Sequence, residues 1–225
     1  ENSSGFTLIN EMGSDGTFNG DIFAPEISEV TAVTTPTGDT TPSYTFSSNE
    51  AGDITYGGDC TSTADTSANA SNNTITFNTL SGGTYSDCTI TVTDTANNAS
   101  DALSVSSFIV DTTAPSLSQV TAVPTPTNDN TSSYTFSSDE AGTITYGGSC
   151  SSSSNDNISV NGNNTITFNE LADNTYDNCT ISVTDNVSNT SSALSVSEFT
   201  IDTTGPTLSE VTAVTTPDND STPNY

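Results

Sequence analysis

The chain contains no lysine, no arginine and no histidine, against 28 aspartates and glutamates, so its formal charge is -28 and its isoelectric point about 4.1. No carboxylate can find a salt-bridge partner among its own side chains, and the counter-charges must come from water, salt or metal ions. Nucleic acids and anionic membrane surfaces are bound through clustered Lys and Arg, so both are excluded as partners. Without His or Lys the commonest general bases are missing, and lysine's absence also excludes isopeptide staples. There is no G-x-S-x-G elbow and no phosphate-cradling glycine loop, and nothing points to a pocket holding a raised-pKa acid opposite a second carboxylate. The chain therefore reads as non-enzymatic and without an organic cofactor. Tryptophan is absent too, which weakens any case for sugar stacking. No apolar run approaches the roughly 20 residues of a membrane span, so membrane insertion of this segment is not expected. No basic leader precedes Glu1, and the chain reads as mature or internal.

Leu, Ile, Val and Phe make up 41 of the 225 residues, about 18%, a content at which a highly charged chain is expected to stay unfolded. Distribution overrides that average. The apolar residues alternate in short bursts such as TITF at 74–77 and TITVT at 89–93, the period of a half-buried strand, with Ser, Thr, Asn, Asp and Gly between them. No window carries helical spacing, and the expected class is all-β.

The bursts recur. EVTAVTTPTGDTTPSYTFSSNEAGDITYGGDC at 29–60 returns as QVTAVPTPTNDNTSSYTFSSDEAGTITYGGSC at 119–150, and NNTITFNTLSGGTYSDCTITVTD at 72–94 returns as NNTITFNELADNTYDNCTISVTD at 163–185. The offsets are 90 and then 91, so one residue is inserted between the blocks. A third copy begins with EVTAVTTPDNDSTPNY at 210–225. The predicted organisation is the end of a divergent domain over 1–20, one repeat over 21–111, a second over 112–202, and the start of a third over 203–225. In the second copy, strands are expected at 116–123, 132–138, 142–150, 157–161, 164–169, 175–184 and 193–201. Seven short strands in about 90 residues predict a Greek-key, two-sheet immunoglobulin-like sandwich in each repeat.

The ordered landmarks DTTAP, SYTFSSDEAGTITY, a Leu and GTY before a strand closing in VTD, an Asn-rich turn and FTID resemble the bacterial Ig-like (Big-type) tandem repeats of large secreted adhesins and surface proteins. The resemblance covers about 21–225. It implies extracellular sandwiches strung into stalks, often stiffened by calcium where domains meet. The chain departs from that pattern in its cysteines and in the odd spacing between Tyr85 and Cys88. That spacing breaks strand alternation, so a bulge or a turn end is expected there.

In such a sandwich the end of the third strand meets the start of the sixth, where Cys60 and Cys88 fall, as do Cys150 and Cys179. One disulfide within each repeat is expected, closing a loop worth about 3 to 4 kcal/mol in the chain-entropy model. Metal or redox chemistry is the competing reading, but C-x-x-C spacing and histidine are both missing. Disulfides imply an oxidising, extracellular or cell-surface location.

DTTAP at 111–115 and DTTGP at 202–206 place an acid at each repeat boundary, and DIFAP at 21–25 echoes them. The same topology sends the loop after the second strand and the loop after the sixth to the end where the first strand starts. It therefore gathers Asp21 with Glu50 and Asp94, and Asp111 with Glu140 and Asp185; Asp202 begins the next such set. Three carboxylates without a cation repel one another, and a hard oxygen-ligated ion such as Ca²⁺ resolves that. The competing reading is solvated turn-forming acids. Tyr85 and Tyr176 read as tyrosine corners. Eleven N-x-S/T sequons, such as those at Asn72 and Asn163, leave glycosylation open.

The favoured function is a structural spacer or stalk for adhesion, or within an extracellular fibre, with neighbouring Ig-like repeats as its partners. The alternative is a self-assembling filament whose partial terminal domains complete each other by strand donation. A ligand-binding Ig-like module is the third reading, disfavoured by the lack of loop aromatics.

Overall fold

The computed structural model describes residues 21–152, 158–209 and 221. The strand pieces expected within 1–20, most of the truncated third repeat and the start of the weak fourth strand of the second repeat lie outside the described residues. No helix occurs among the described residues, so none is long and apolar enough to cross a membrane. The described chain forms two compact units that divide between Thr113 and Ala114.

In the first unit the strands are β1 (Ile27–Thr31), β2 (Ser43–Ser48), β3 (Gly52–Gly57), β4 (Ser67–Ala68), β5 (Asn72–Thr76), β6 (Gly83–Tyr85), β7 (Thr89–Thr93), β8 (Leu103–Ser104) and β9 (Phe108–Val110). One sheet has the order β1-β2-β5 and the other β4-β3-β7-β8, with β6-β9 as a two-stranded pair. The second unit repeats this with β10 (Leu117–Thr121), β11 (Ser133–Ser138), β12 (Gly142–Gly147), β13 (Ile158–Ser159), β14 (Gly162–Thr167), β15 (Asn174–Tyr176), β16 (Thr180–Thr184), β17 (Leu194–Ser195) and β18 (Phe199–Ile201). Its orders are β10-β11-β14, β13-β12-β16-β17 and β15-β18. Each unit is an immunoglobulin-like all-β sandwich. The short fourth strand pairs with the third, at Gly52↔Ala68 and Gly142↔Ser159, which places it in the sheet opposite the fifth strand.

Alternation places the core. In β2 Tyr44, Phe46 and Ser48 point inward and are buried, while Ser43, Thr45 and Ser47 face out. Because no basic side chain is available to offset carboxylates, the outer face carries hydroxyls. Ser28 meets Ser47 at 2.8 Å and Thr45 meets Thr74 at 2.9 Å, and Ser118–Ser137 and Thr135–Thr165 repeat these pairs at 2.7 and 2.8 Å. Inside, Tyr44, Phe77, Phe108 and Tyr85 form a row with successive ring centroids 6.3, 6.1 and 5.2 Å apart. Tyr134, Phe168, Phe199 and Tyr176 form its twin at 6.3, 5.9 and 5.3 Å. The buried Asn73 side chain accepts from Asn69 N and donates to Asn69 O and Ser71 O, fixing the turn into β5.

The strand expected at 175–184 is split into β15 and β16 and that expected at 193–201 into β17 and β18, as their counterparts in the first unit are split into β6 and β7, and β8 and β9. Residues 86–88 carry no strand pairing, so β6 pairs with β9 while β7 pairs with β3 and β8. This is the break expected from the Tyr85-to-Cys88 spacing. Tyr85 Oη donates to Ser81 O at 2.9 Å and Tyr176 Oη to Ala172 O at 3.0 Å, the four-residue reach-back of a tyrosine corner. Cys60 is bonded to Cys88 and Cys150 to Cys179, with Cα separations of 5.2 and 5.3 Å, joining the chain just after β3 to that just before β7 in the first unit and the chain just after β12 to that just before β16 in the second. All four sulfurs are buried in the core.

Candidate metal centre

Three segments meet at the end of the first unit where β1 begins. Glu50 lies in the turn between β2 and β3, Asp94 directly follows β7, and Asp21 precedes β1. Their carboxylates each bring an oxygen to within 4.8 Å of the others. The turn holding Glu50 is pinned by Ser48, whose Oγ donates to Glu50 O at 2.6 Å and accepts from Glu50 N at 3.3 Å. Asn49 ties the turn to the chain before β1: Glu26 N donates to Asn49 Oδ1 at 2.7 Å and Asn49 N to Glu26 O at 3.2 Å.

Gly52 sets how closely these parts approach. A Cβ there would lie 2.3 Å from Thr93 O, so only glycine lets the start of β3 pass beneath the end of β7, two residues from Glu50 and one from Asp94. Gly142 does the same against Thr184 O at 2.4 Å. This is the physical reason for the repeated E-A-G.

Asp94 is buried and organises its own turn. Its Oδ1 accepts from Ala96 N and Asn98 N, both at 2.8 Å, and its Oδ2 from Asn98 Nδ2 at 2.8 Å. Oδ1 thus has two donors, while Oδ2 keeps a lone pair for a further partner. Asn98 Nδ2 also donates to Asp21 O at 3.2 Å. Asp21 Oδ1 accepts from Phe23 N at 3.1 Å. The Asn98 side-chain hydrogen bond, reinforced by backbone donors and opposed by desolvation, holds the Asp94 carboxyl below its ordinary value. Glu50 goes the other way: desolvation first, then the charges of Asp21 and Asp94, push its carboxyl up. One carboxylate is thus stabilised by donors, while its neighbour is destabilised by desolvation and then by like charge.

In the second unit Glu140 and Asp185 stand at the equivalent turns, with oxygens within 4.8 Å of each other. Ser138 Oγ donates to Glu140 O at 2.6 Å, as Ser48 does to Glu50 O. Asp111 directly follows β9 in the first unit, and Asp202 holds the same place after β18 in the second. Asp111 N donates to Thr37 O at 2.8 Å and Asp202 N to Thr127 O at 2.9 Å, and their Oδ1 atoms accept from Thr113 N and Thr204 N. Sequence reasoning missed Asn98 and Gly52. The signals were the Asn-rich turn after VTD and the glycine two residues after the glutamate in the β2–β3 turn and in the β11–β12 turn. The four cysteines are oxidised and none is free. A cleft of about 370 Å³ in the second unit is lined by Ala114, Pro115, Ser116, Leu117, Thr190, Ser192, Ala193 and Leu194, with no titratable side chain among them.

Fold and cysteines together define the class: a protein of immunoglobulin-like β-sandwich units, each closed by one internal disulfide. No family model matches the chain, and no curated protein matches it. Among solved structures it is similar to the fibronectin(III)-like modules of Clostridium thermocellum CbhA, at 9% identity over 78% of this chain and 94% of that chain, with a TM-score of 0.35.

Proposed function

We propose that the chain is a non-enzymatic structural segment of a secreted bacterial surface protein, one of the Big-type tandem repeat arrays, acting as an extended spacer. The observation that carries this reading is duplication of the whole unit down to its hydrogen bonds. Sheet order, disulfide, tyrosine corner and acid-bearing turns all recur at an offset of 90 or 91 residues. In an array of such modules each repeat contacts only its neighbours, so copying the unit adds length. Two disulfides support an oxidising location outside the cytoplasm. Like-charged units repel over about 10 Å at 0.1 M salt, which favours extension and opposes lateral clumping.

In this reading Asp21, Glu50 and Asp94 hold a calcium ion. Oxygens on opposite sides of one Ca²⁺ are separated by at most about 4.6 to 5.2 Å, and the three carboxylates, within 4.8 Å of one another, fall inside that span. By the sequence repeat, Asp111 is the counterpart of Asp21 for Glu140 and Asp185, and Asp202 that of the following repeat. Solution scattering with calcium and then with EGTA tests the proposal. An elongated particle that becomes more flexible on chelation supports it, and a compact particle in both conditions overturns the spacer reading.

A further inference from the structure

We infer that Asn161-Gly162 is a self-modifying site, where the backbone nitrogen of Gly162 closes on the Asn161 side chain and converts the asparagine to aspartate and isoaspartate within the folded second unit. Asn161 lies exposed in the bend between β13 and β14. Gly162 follows it at φ +113°, with nothing within 4 Å of the position a Cβ would take. The bend is held by the buried Asn164, whose side chain accepts from Val160 N at 2.7 Å and donates to Val160 O at 2.9 Å and to Gly162 O at 3.0 Å. Asn73 holds the corresponding bend of the first unit in the same way, but the exposed pair there is Ala70-Ser71. A positive φ of this size is open to glycine and rarely to other residues. The turn of the second unit therefore calls for the one neighbour that leaves an asparagine side chain unshielded. The sequence holds one other Asn-Gly pair, Asn19-Gly20, outside the described residues.

The reaction needs no cofactor and no oxidant. Gly162 N forms a bond to Asn161 Cγ and the Cγ–Nδ2 bond breaks. The proton of the Gly162 N–H passes through solvent to the leaving nitrogen, which departs as ammonia. The resulting five-membered ring joins Gly162 N to Cα, Cβ, Cγ and the carbonyl carbon of Asn161, and water opens it. Attack at Cγ gives aspartate. Attack at the main-chain carbonyl carbon gives isoaspartate, in which the chain runs through the former side chain and gains a methylene. Overall, water enters and ammonia leaves. A Cβ on the following residue crowds the approach of its nitrogen to Cγ, and glycine has none.

The same residue ties two turns together, so its conversion has a structural consequence. Asn161 Nδ2 donates to Asp139 O, in the turn between β11 and β12 that also carries Glu140. Nδ2 is the atom lost as ammonia. Either product sets a carboxylate against that carbonyl in place of a donor, leaving two acceptors face to face. The new charge also joins Asp139 and Glu140 at an end of the unit that is already acidic. In isoaspartate the extra methylene enters the chain directly before β14, at the point where Gly162 pairs with Ser138. The second unit thus ages at this turn, while Ala70-Ser71 spares the first.

Chymotryptic peptide mapping of the full chain tests this after incubation at mildly alkaline pH, comparing folded protein with protein unfolded in denaturant. Fragment ions assign the site. The folded chain is expected to exchange NH2 for OH at Asn161, with isoaspartate among the products. Its rate is expected to lie within about tenfold of the unfolded chain's, a barrier difference of at most about 1.4 kcal/mol. Asn72 and Asn163, each followed by another asparagine, should stay intact. Slower conversion of Asn161 in the folded chain, or equal conversion at Asn72 or Asn163, would overturn the site. Asn161→Ser should abolish the change at this position. Asn161→Asp installs one product from the start, and amide exchange at Asp139 and Glu140 is expected to quicken about tenfold on loss of the donor, with Asn49 and Glu50 unaffected. Unchanged exchange at Asp139 and Glu140 would overturn the consequence drawn for the turn.

Discussion

Asn98 binds the Asp94 carboxylate through its side-chain nitrogen at 2.8 Å and, with the same nitrogen, the Asp21 carbonyl at 3.2 Å. It thereby joins two of the three acid-bearing segments without being an oxygen donor that replaces either acid. Residues that orient ligands typically cost 10- to 100-fold in metal affinity when removed. Asn98→Ala is therefore expected to weaken calcium binding by about that factor, read by titration calorimetry. Calcium affinity equal to wild type would show that Asp94 needs no such support.

Glu50 gives a prediction of opposite sign in the presence and absence of the ion. Its carboxyl is raised by desolvation and by Asp21 and Asp94, so in chelator it opposes folding above its folded pKa, and that cost is relieved as pH falls through it. Glu50→Gln is expected to raise the melting temperature in EGTA and to reduce the increase that calcium brings. A variant less stable than wild type in EGTA would mean that the acids are not in mutual repulsion.

Gly52 has no room for a side chain. Its added Cβ would meet Thr93 O at 2.3 Å, a backbone atom that cannot swing aside. Gly52→Ala is expected to destabilise the first unit by about 1 to 3 kcal/mol and to weaken calcium binding with it. Gly83→Ala is the companion: nothing lies within 4 Å of its Cβ position, and little change is expected. Denaturant melts of both variants check the contrast.

Each disulfide closes a loop in the sheet that contains the third strand. Replacing Cys60 and Cys88 together by Ser is expected to cost the first unit about 3 to 4 kcal/mol, with a matching loss for Cys150 and Cys179 in the second. Hydrogen exchange resolved by segment would show whether each loss stays within its own unit. Spread into the neighbour would mean that the two units unfold as one.

What the sequence makes legible follows from periodicity and from topology. The alternation of Tyr44 and Phe46 with Thr45 and Ser47 names the buried face because a strand has a period of two. The approach of Asp21, Glu50 and Asp94, and the pairing of Cys60 with Cys88, follow once seven strands are threaded as a Greek key. Features set by local approach stay hidden. The need for glycine at 52 depends on where Thr93 O points, the side taken by β4 depends on a two-residue strand, and the parallel pairing of Thr37 with Val110 depends on a loop without hydrophobic rhythm.

The two copies also differ at one informative position: Glu29 bridges to Ser106, and Gln119 makes the corresponding bridge to Ser197. Desolvation raises the Glu29 carboxyl, but the backbone and side-chain donors of Ser106 outweigh it and hold the group below its ordinary value. The buried Tyr44 hydroxyl lies near enough to feel that charge, and has no partner in hydrogen-bond geometry. A depressed folded pKa means that the bridge contributes fully above the unfolded carboxylate value of about 4.3 and is lost as pH falls through the folded value. Gln119 carries no such dependence. Acid titration followed by hydrogen exchange at the amide of Ser106 is thus expected to show protection fading on acidification, while the amide of Ser197 keeps its own. Glu29→Gln should bring the first unit's profile towards the second, and Gln119→Glu the reverse. Equal fading at Ser106 and Ser197 in the unaltered chain would place acid sensitivity elsewhere, in the turns held by Asp94 or in the Asp173 carboxylate that accepts from Thr203 and Thr204.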